Sequence, residues 1–188
     1  MRDLRCPAYG AKLFLRRVEV TRVRKRSRAA KALTGMDVSY ADARHLALEL
    51  AGGTGQSLDA MTAGVVLEAG EVARRLVDGW LRIWVDGAWS PPRWTQSLVS
   101  DQRLLVRLDS GELVSLWWEG LVGFSADLEA GYVVLDFGDG RPRSLSGPGA
   151  PVVAVAGVAR LYGPEAMLTH PALAPLRRHP AGSSLAVR

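Results

Sequence analysis

The stretch from Trp94 to Trp118, WTQSLVSDQRLLVRLDSGELVSLWW, constrains the fold more than any other segment of this chain. Two apolar-alternating runs flank Asp109-Ser110-Gly111, with Gly where a three-residue hairpin link needs a positive φ. The pattern predicts strand, tight turn, strand. A three-residue link sets Leu108 against Glu112, so Leu104 faces Leu116 and Val106 faces Val114. Leu108 and Trp118 fall on the same side, and burying each of these six side chains stabilises by about 1.5–3 kcal/mol. The opposite face pairs Arg103 with Trp117, Leu105 with Ser115 and Arg107 with Leu113. That face is expected to meet solvent, with an exposed cation–π contact of Arg103 on Trp117. A slip of one residue would bury both arginines, so the register is strongly specified.

Turn signals recur beyond residue 57. Asp78-Gly79, Asp86-Gly87, Pro91-Pro92, Glu129-Ala130-Gly131, Asp139-Gly140 and Gly147-Pro148-Gly149 separate short runs rich in Val, Leu and Trp. Strands at intervals of roughly 8–12 residues indicate an antiparallel sandwich or barrel. After Gly149 the pattern changes. Ala150–Tyr162 has Pro near its start and apolar residues on nearly every side, which predicts a buried helix over an open barrel end. Pro164–Leu168 and Pro171–Leu173 read as short helical turns, with His170 as a turn or cap residue.

The segment resembles the pleckstrin-homology and GRAM-like superfamily in its bacterial forms. The residues that carry the resemblance are Leu67-Glu68-Ala69-Gly70-Glu71, taken as opening the first strand, and Leu98 to Val106. The latter is similar to the family's strand of hydrophobic-Thr-x-x-Arg-Leu-hydrophobic pattern, with Ser100 in place of Thr. Ser115-Leu116-Trp117-Trp118 is similar to the strand that follows, and a closing helix at 150–162 fits. The match covers about residues 61–163. It implies an α+β, mainly β fold: a PH-like, antiparallel, partly open seven-stranded barrel capped by a C-terminal helix. It also implies a binding module rather than an enzyme. In lipid-binding members, basic residues on the first two strands meet headgroups. Here Arg74, Arg75 and Arg82 lie near Asp78-Gly79, too scattered to form a phosphoinositide pocket.

The N-terminal part has no counterpart in that pattern. Residues 1–35 carry eleven Lys and Arg against two Asp and Glu, a local charge of +9; with +5 overall, the other 153 residues carry −4. Residues 11–33 lack Gly and Pro and predict a helix ending at Gly35, although RRVEVTRV also alternates with the period of a strand. Ser39 is expected to cap a second helix whose stripe is Ala43, Leu46, Ala47 and Leu50, stopped by Gly52-Gly53. A preceding helical hairpin follows. The expected organisation is a basic helical segment and linker over 1–57, a PH-like barrel with its helix over 58–178, and a flexible tail over 179–188.

Such an arm points to phosphate-bearing or acidic partners. Arg16, Arg17, Arg22, Arg24, Lys25, Arg26 and Arg28 are the candidate residues for binding an anionic partner. An acidic protein or an anionic membrane surface is the first expectation. Sequence-nonspecific nucleic-acid binding through residues 12–31, or a structural role in a larger assembly, is the alternative. Trp80, Trp84, Trp89 and Trp94 suggest an exposed aromatic patch, or core packing.

The chemistry of an enzyme is not legible. Cys6 is the sole cysteine, so Cys6-Pro7-Ala8-Tyr9-Gly10 cannot close a zinc knuckle, and no cofactor or metal is expected. Gly52 to Ser57 lacks the Lys of a phosphate-binding loop. His45 has Asp42 and Glu49 at helical spacing without a second His or Cys, which reads as a solvated charge cluster. Asp136-Phe137-Gly138 spells a kinase magnesium motif without the rest of a kinase and reads as a strand end. No apolar run nears the roughly 18 residues of a membrane span, and the charged start lacks a signal-peptide core, so a cytoplasmic location is expected.

Overall fold

The structure, a computed structural model, describes residues 36–53 and 55–178. The chain divides into two compact units, Met1–Asp37 and Val38–Arg188. The expected helix over 11–33, the seven basic residues from Arg16 to Arg28, Cys6 and the tail from 179 lie outside the described residues. The boundary expected near residue 57 contrasts with a second unit that begins at Val38 and so includes most of helix α1 (36–52). That helix is already under way at residue 36. Ser39 is therefore not its N-cap but a buried residue inside it. Ala43 and Leu46, three residues apart on one face, are fully buried.

Among the described residues the sheet has eight strands: β1 (Ala73–Val85), β2 (Ala88–Trp89), β3 (Arg93–Ser100), β4 (Arg103–Arg107), β5 (Leu113–Trp117), β6 (Gly123–Asp127), β7 (Tyr132–Asp136) and β8 (Arg143–Ser146). Their order is β5-β4-β3-β1-β8-β7-β6, with β2 beside β1, and every pairing is antiparallel. β5 and β6 end the path, so the sheet stays open. Two meanders, of four and three strands, thus meet at β1. That long strand pairs with β3 from Ala73 to Leu81 and with β8 from Trp80 to Ile83. Asp78-Gly79, expected as a turn, lies inside it. A Cβ on Gly79 would come within 2.9 Å of the Ser146 carbonyl oxygen, so this glycine marks a close approach of β8 rather than a chain reversal. The reversal comes at Asp86-Gly87, whose φ values of 52° and 81° suit a two-residue hairpin link.

The hairpin register is as expected. Leu104 pairs with Leu116, Val106 with Val114, Arg103 with Trp117 and Arg107 with Leu113, and Gly111 has φ 84°. Leu104, Val106 and Leu116 are buried, as is Trp118, which leaves the strand for a short 3-10 turn at Trp118–Gly120. The first run is not one strand, however. Leu98 to Val106 contains the end of β3 and most of β4, joined at Asp101-Gln102. Ser100 makes that turn by accepting hydrogen bonds at its Oγ from the backbone N–H groups of Gln102 and Arg103. Its hydroxyl also donates to Glu71 at 2.6 Å.

The second face of this half-sheet is covered, contrary to expectation. Residues 58–72 cross it, and Val65 packs with Leu98, Leu105 and Ala73, joined by Leu58, Ala63 and Leu67. Leu67 to Gly70 is consequently a turn ahead of β1 rather than its opening. Arg103 is 6% exposed. Its guanidinium donates to both Glu71 carboxylate oxygens, at 2.8 and 3.0 Å, and to Ser115 Oγ and the Val66 carbonyl. The cation–π contact with Trp117 is present, 4.4 Å to the ring centroid, but in the interior. Burial of a cation here is tolerable because every side of it meets an acceptor or a ring.

Helix α2 (Ala150–Tyr162) keeps the limits its sequence predicts. Every residue from Ala150 to Val158 is buried, and α2 touches β1, β3 and β7 across the inner side of the sheet. The turns at Pro164–Leu168 and Pro171–Leu173 follow as expected, and then helix α3 (Ala174–Arg178).

Candidate interaction surface

The acidic cluster on α1 fastens that helix to the sheet. Arg75 on β1 donates to Asp42 Oδ1 at 2.7 Å and to Glu49 Oε1 at 2.8 Å, and His45 Nδ1 stands 3.5 Å from Glu49. Hydrogen bonds from Arg75 hold the Glu49 carboxyl below the usual carboxylate range, against a partial opposing effect of burial. At the other end of the helix, Tyr40 Oη donates to the Leu128 carbonyl at 2.6 Å. Burial, with Glu129 and Asp127 nearby, raises the Tyr40 hydroxyl above its ordinary value. Among the described residues no group of three or more His, Cys, Asp and Glu could hold a metal ion.

The three arginines near β1 do not converge on a common pocket. Arg75 is taken by α1, and Arg82 donates from Nε to the Ser90 carbonyl. Arg74 stands beside Glu49 in a pocket it shares with Arg75, and its buried Nε has no hydrogen-bond partner among the described residues. Asp136, at the end of β7, accepts from the Gly138 N–H through its side chain, an ordinary turn contact. His170 serves as a cap, Nδ1 accepting from the Ala172 N–H at 3.2 Å.

On the side of α1 away from Leu46 the helix carries an exposed apolar residue. Leu48 lies two residues beyond the buried Leu46, about 200° round the helix, and is 70% exposed. Opposite it stands Leu168, 73% exposed, on the first turn after α2. Between them runs an apolar groove of about 280 Å³ floored by Ala47, Ala51, Met167 and Leu173, with Arg44 and Arg177 at its margin. Arg177 also holds the far wall in shape, donating to the Met167 and His170 carbonyls at 3.4 and 3.2 Å. The ring of Tyr162 stacks obliquely on His170, 4.9 Å between centroids. One signal of the groove was present in the sequence: Leu48 is an apolar residue off the helix stripe. Its opposite wall comes from the far end of the unit and has no local signature.

The four tryptophans split into two edge-to-face pairs. Trp80 and Trp94 lie 4.9 Å apart and are each 43% exposed, next to the exposed Leu76. Trp84 and Trp89 lie 5.3 Å apart across the β1–β2 turn and are half-buried. The aromatic patch is thus one pair of rings rather than four.

No family model matches the chain. No curated protein matches it either. Among solved structures it is similar to one described as "Vps36 N-terminal PH domain", with a TM-score of 0.40 and 16% sequence identity. The similarity covers 55% of this chain and 86% of that one. No helix among the described residues is long and apolar enough to cross a membrane.

Proposed function

We propose that this chain is a non-catalytic interaction module on a PH-like frame. A protein partner lies in the groove between α1 and the C-terminal turns. The arm residues Arg16, Arg17, Arg22, Arg24, Lys25, Arg26 and Arg28 add contact with an acidic protein or an anionic membrane surface. The observation that carries this reading is the groove: two leucines more than two-thirds exposed face each other across an apolar floor. Leaving such area in water is costly, at about 25 cal/mol per Å².

Two further observations support it. An open antiparallel sheet with a buried closing helix agrees with the mainly β, helix-capped fold that the resemblance implies, with eight strands among the described residues in place of seven. The displaced carboxylates Glu49 and Glu71 are each engaged by an arginine that joins two segments, so their titration is explained by the fold. A cytoplasmic location belongs to the same proposal.

The test uses the full chain, a variant with the seven arm residues changed to Gln, and the pair Leu48→Asp and Leu168→Asp. Each is assayed against anionic vesicles, duplex DNA and cross-linkable protein partners at low and high salt. Protein capture that needs Leu48 and Leu168, with vesicle binding that needs the arm, is the expected result. DNA binding that needs the arm and falls steeply with salt would favour the nucleic-acid alternative. Indifference of every partner to both sets of changes would overturn the reading.

A further inference from the structure

A second cleft, of about 180 Å³, opens on the other side of α1. Its walls are Leu46 and Leu50 of α1, Val99 of β3, Trp118, and Ala156 and Ala159 of α2. Three charged groups reach it: Arg74, Arg160 and Asp101. Asp101 is already engaged, its Oδ1 accepting from the Val72 N–H at 2.8 Å. Arg160 is exposed at the C-terminal end of α2 and makes no hydrogen bond or ion pair among the described residues. Arg74 is half-buried with an unpartnered Nε, and a buried donor left unpaired costs about 1–3 kcal/mol.

We propose that this cleft binds a small monocarboxylate with an apolar tail, of the chemistry of a medium-chain fatty acid. The proposal is independent of the groove reading. Among the lining residues two guanidiniums and one carboxylate leave one net positive charge; Arg74 also stands beside Glu49, so Arg160 is the cation that a monoanion meets. A phosphate dianion would overcompensate it and sit beside Asp101. The planar fork of an arginine matches the two oxygens of a carboxylate. The walls offer the tail five aliphatic side chains and the Trp118 indole. A peptide is disfavoured there, because the helical backbone of α1 and α2 has no free groups to satisfy its amides. A cavity of roughly 150 Å³ accepts a six-carbon ring, so this cleft suits a tail of about six to eight carbons.

The test is a titration of the isotope-labelled full chain with octanoate, n-octanol, acetate and inorganic phosphate, followed by NMR. The Trp118 indole N–H, which donates to the Ser100 carbonyl at 3.0 Å, is the reporter. Octanoate is expected to shift that signal saturably, at least tenfold more tightly than n-octanol, with no shift from acetate or phosphate. Arg160→Gln and Arg74→Gln should each weaken octanoate at least fivefold, and Ala159→Leu should fill the cleft and abolish the shift. Arg160→Gln alters only an exposed side chain, so it keeps the test valid should Arg74→Gln unfold. Equal binding of octanol, equal shifts from phosphate, or octanoate affinity unchanged in Arg160→Gln would each overturn the proposal. So would octanoate shifts confined to the Leu48–Leu168 groove.

Discussion

Glu71 and Arg103 close a buried two-pronged ion pair, Nη2 to Oε2 at 2.8 Å and Nε to Oε1 at 3.0 Å, across a sequence separation of 32 residues. Burial pushes the Glu71 carboxyl up, but hydrogen bonds from Arg103, Ser100 and the Glu68 N–H outweigh it and hold the group below the usual carboxylate range. Glu71→Gln strands a cation in the interior. It should cost about 3–5 kcal/mol, read as a lower urea midpoint. The double change Glu71→Leu with Arg103→Met removes both charges and should cost less than the single change. A larger loss in the double variant would refute the pairing as the source of the effect.

Val106 is fully buried in the middle of β4, whereas its neighbour Arg107 is half-buried and donates to the Ala63 carbonyl at 2.6 Å. Val106→Asp should unfold the unit, since a carboxylate placed there is stripped of water and left unpaired. Arg107→Ser loses the hydrogen bonds to the Ala63 and Gly64 carbonyls and should cost about 1–2 kcal/mol. Similar melting temperatures for the two variants would contradict the register.

The pH dependence of the α1 attachment has a definite sign. Glu49 has a depressed folded pKa, so its contribution is fully present above the unfolded value near 4.5 and is lost as pH falls through the folded one. Glu49→Gln should therefore be less stable than the parent at pH 7, and the gap should narrow as pH falls below the unfolded value near 4.5. Urea midpoints at pH 7, 5 and 3.5 measure it. A gap that persists unchanged at the lowest pH would mean that Glu49 acts by packing alone.

Gly79→Ala places a Cβ 2.9 Å from the Ser146 carbonyl oxygen, too close for that contact, and the strain is relieved only by moving β1 or β8. A loss of about 1–3 kcal/mol is expected. A neutral or stabilised variant by thermal melting would show that β1 and β8 do not approach this closely.

What was legible in the sequence was local. The hairpin register follows from a link of three residues and a side-chain period of two, and α2 follows from Pro151 and an unbroken apolar surround. Asp78-Gly79 misled because the dipeptide that favours a turn also suits a tight strand crossing, and only the position of Ser146 separates the two. Arg103 looked like surface because its acceptors, Glu71 and the Val66 carbonyl, come from a segment with no periodicity of its own. The groove fails for the same reason, being made where Leu48 and Leu168 meet. Each miss was a matter of tertiary cover, which no alternation within a strand reveals.

Residues 58–72 give the four-strand meander a second dry side, and among the described residues no element covers the β6–β8 meander in the same way. One half of the sheet is therefore a three-ply laminate and the other two-ply, so stiffness is unevenly shared. Opening β3 or β4 means lifting that cover and breaking the Arg103 pair, whereas β6 has a strand on one side only among the described residues. Amide exchange should accordingly be slowest in β3 and β4 and fastest along β6. The lamination also withdraws the β3–β4 surface from anything that would read a bare sheet, and leaves recognition to helix flanks and turns.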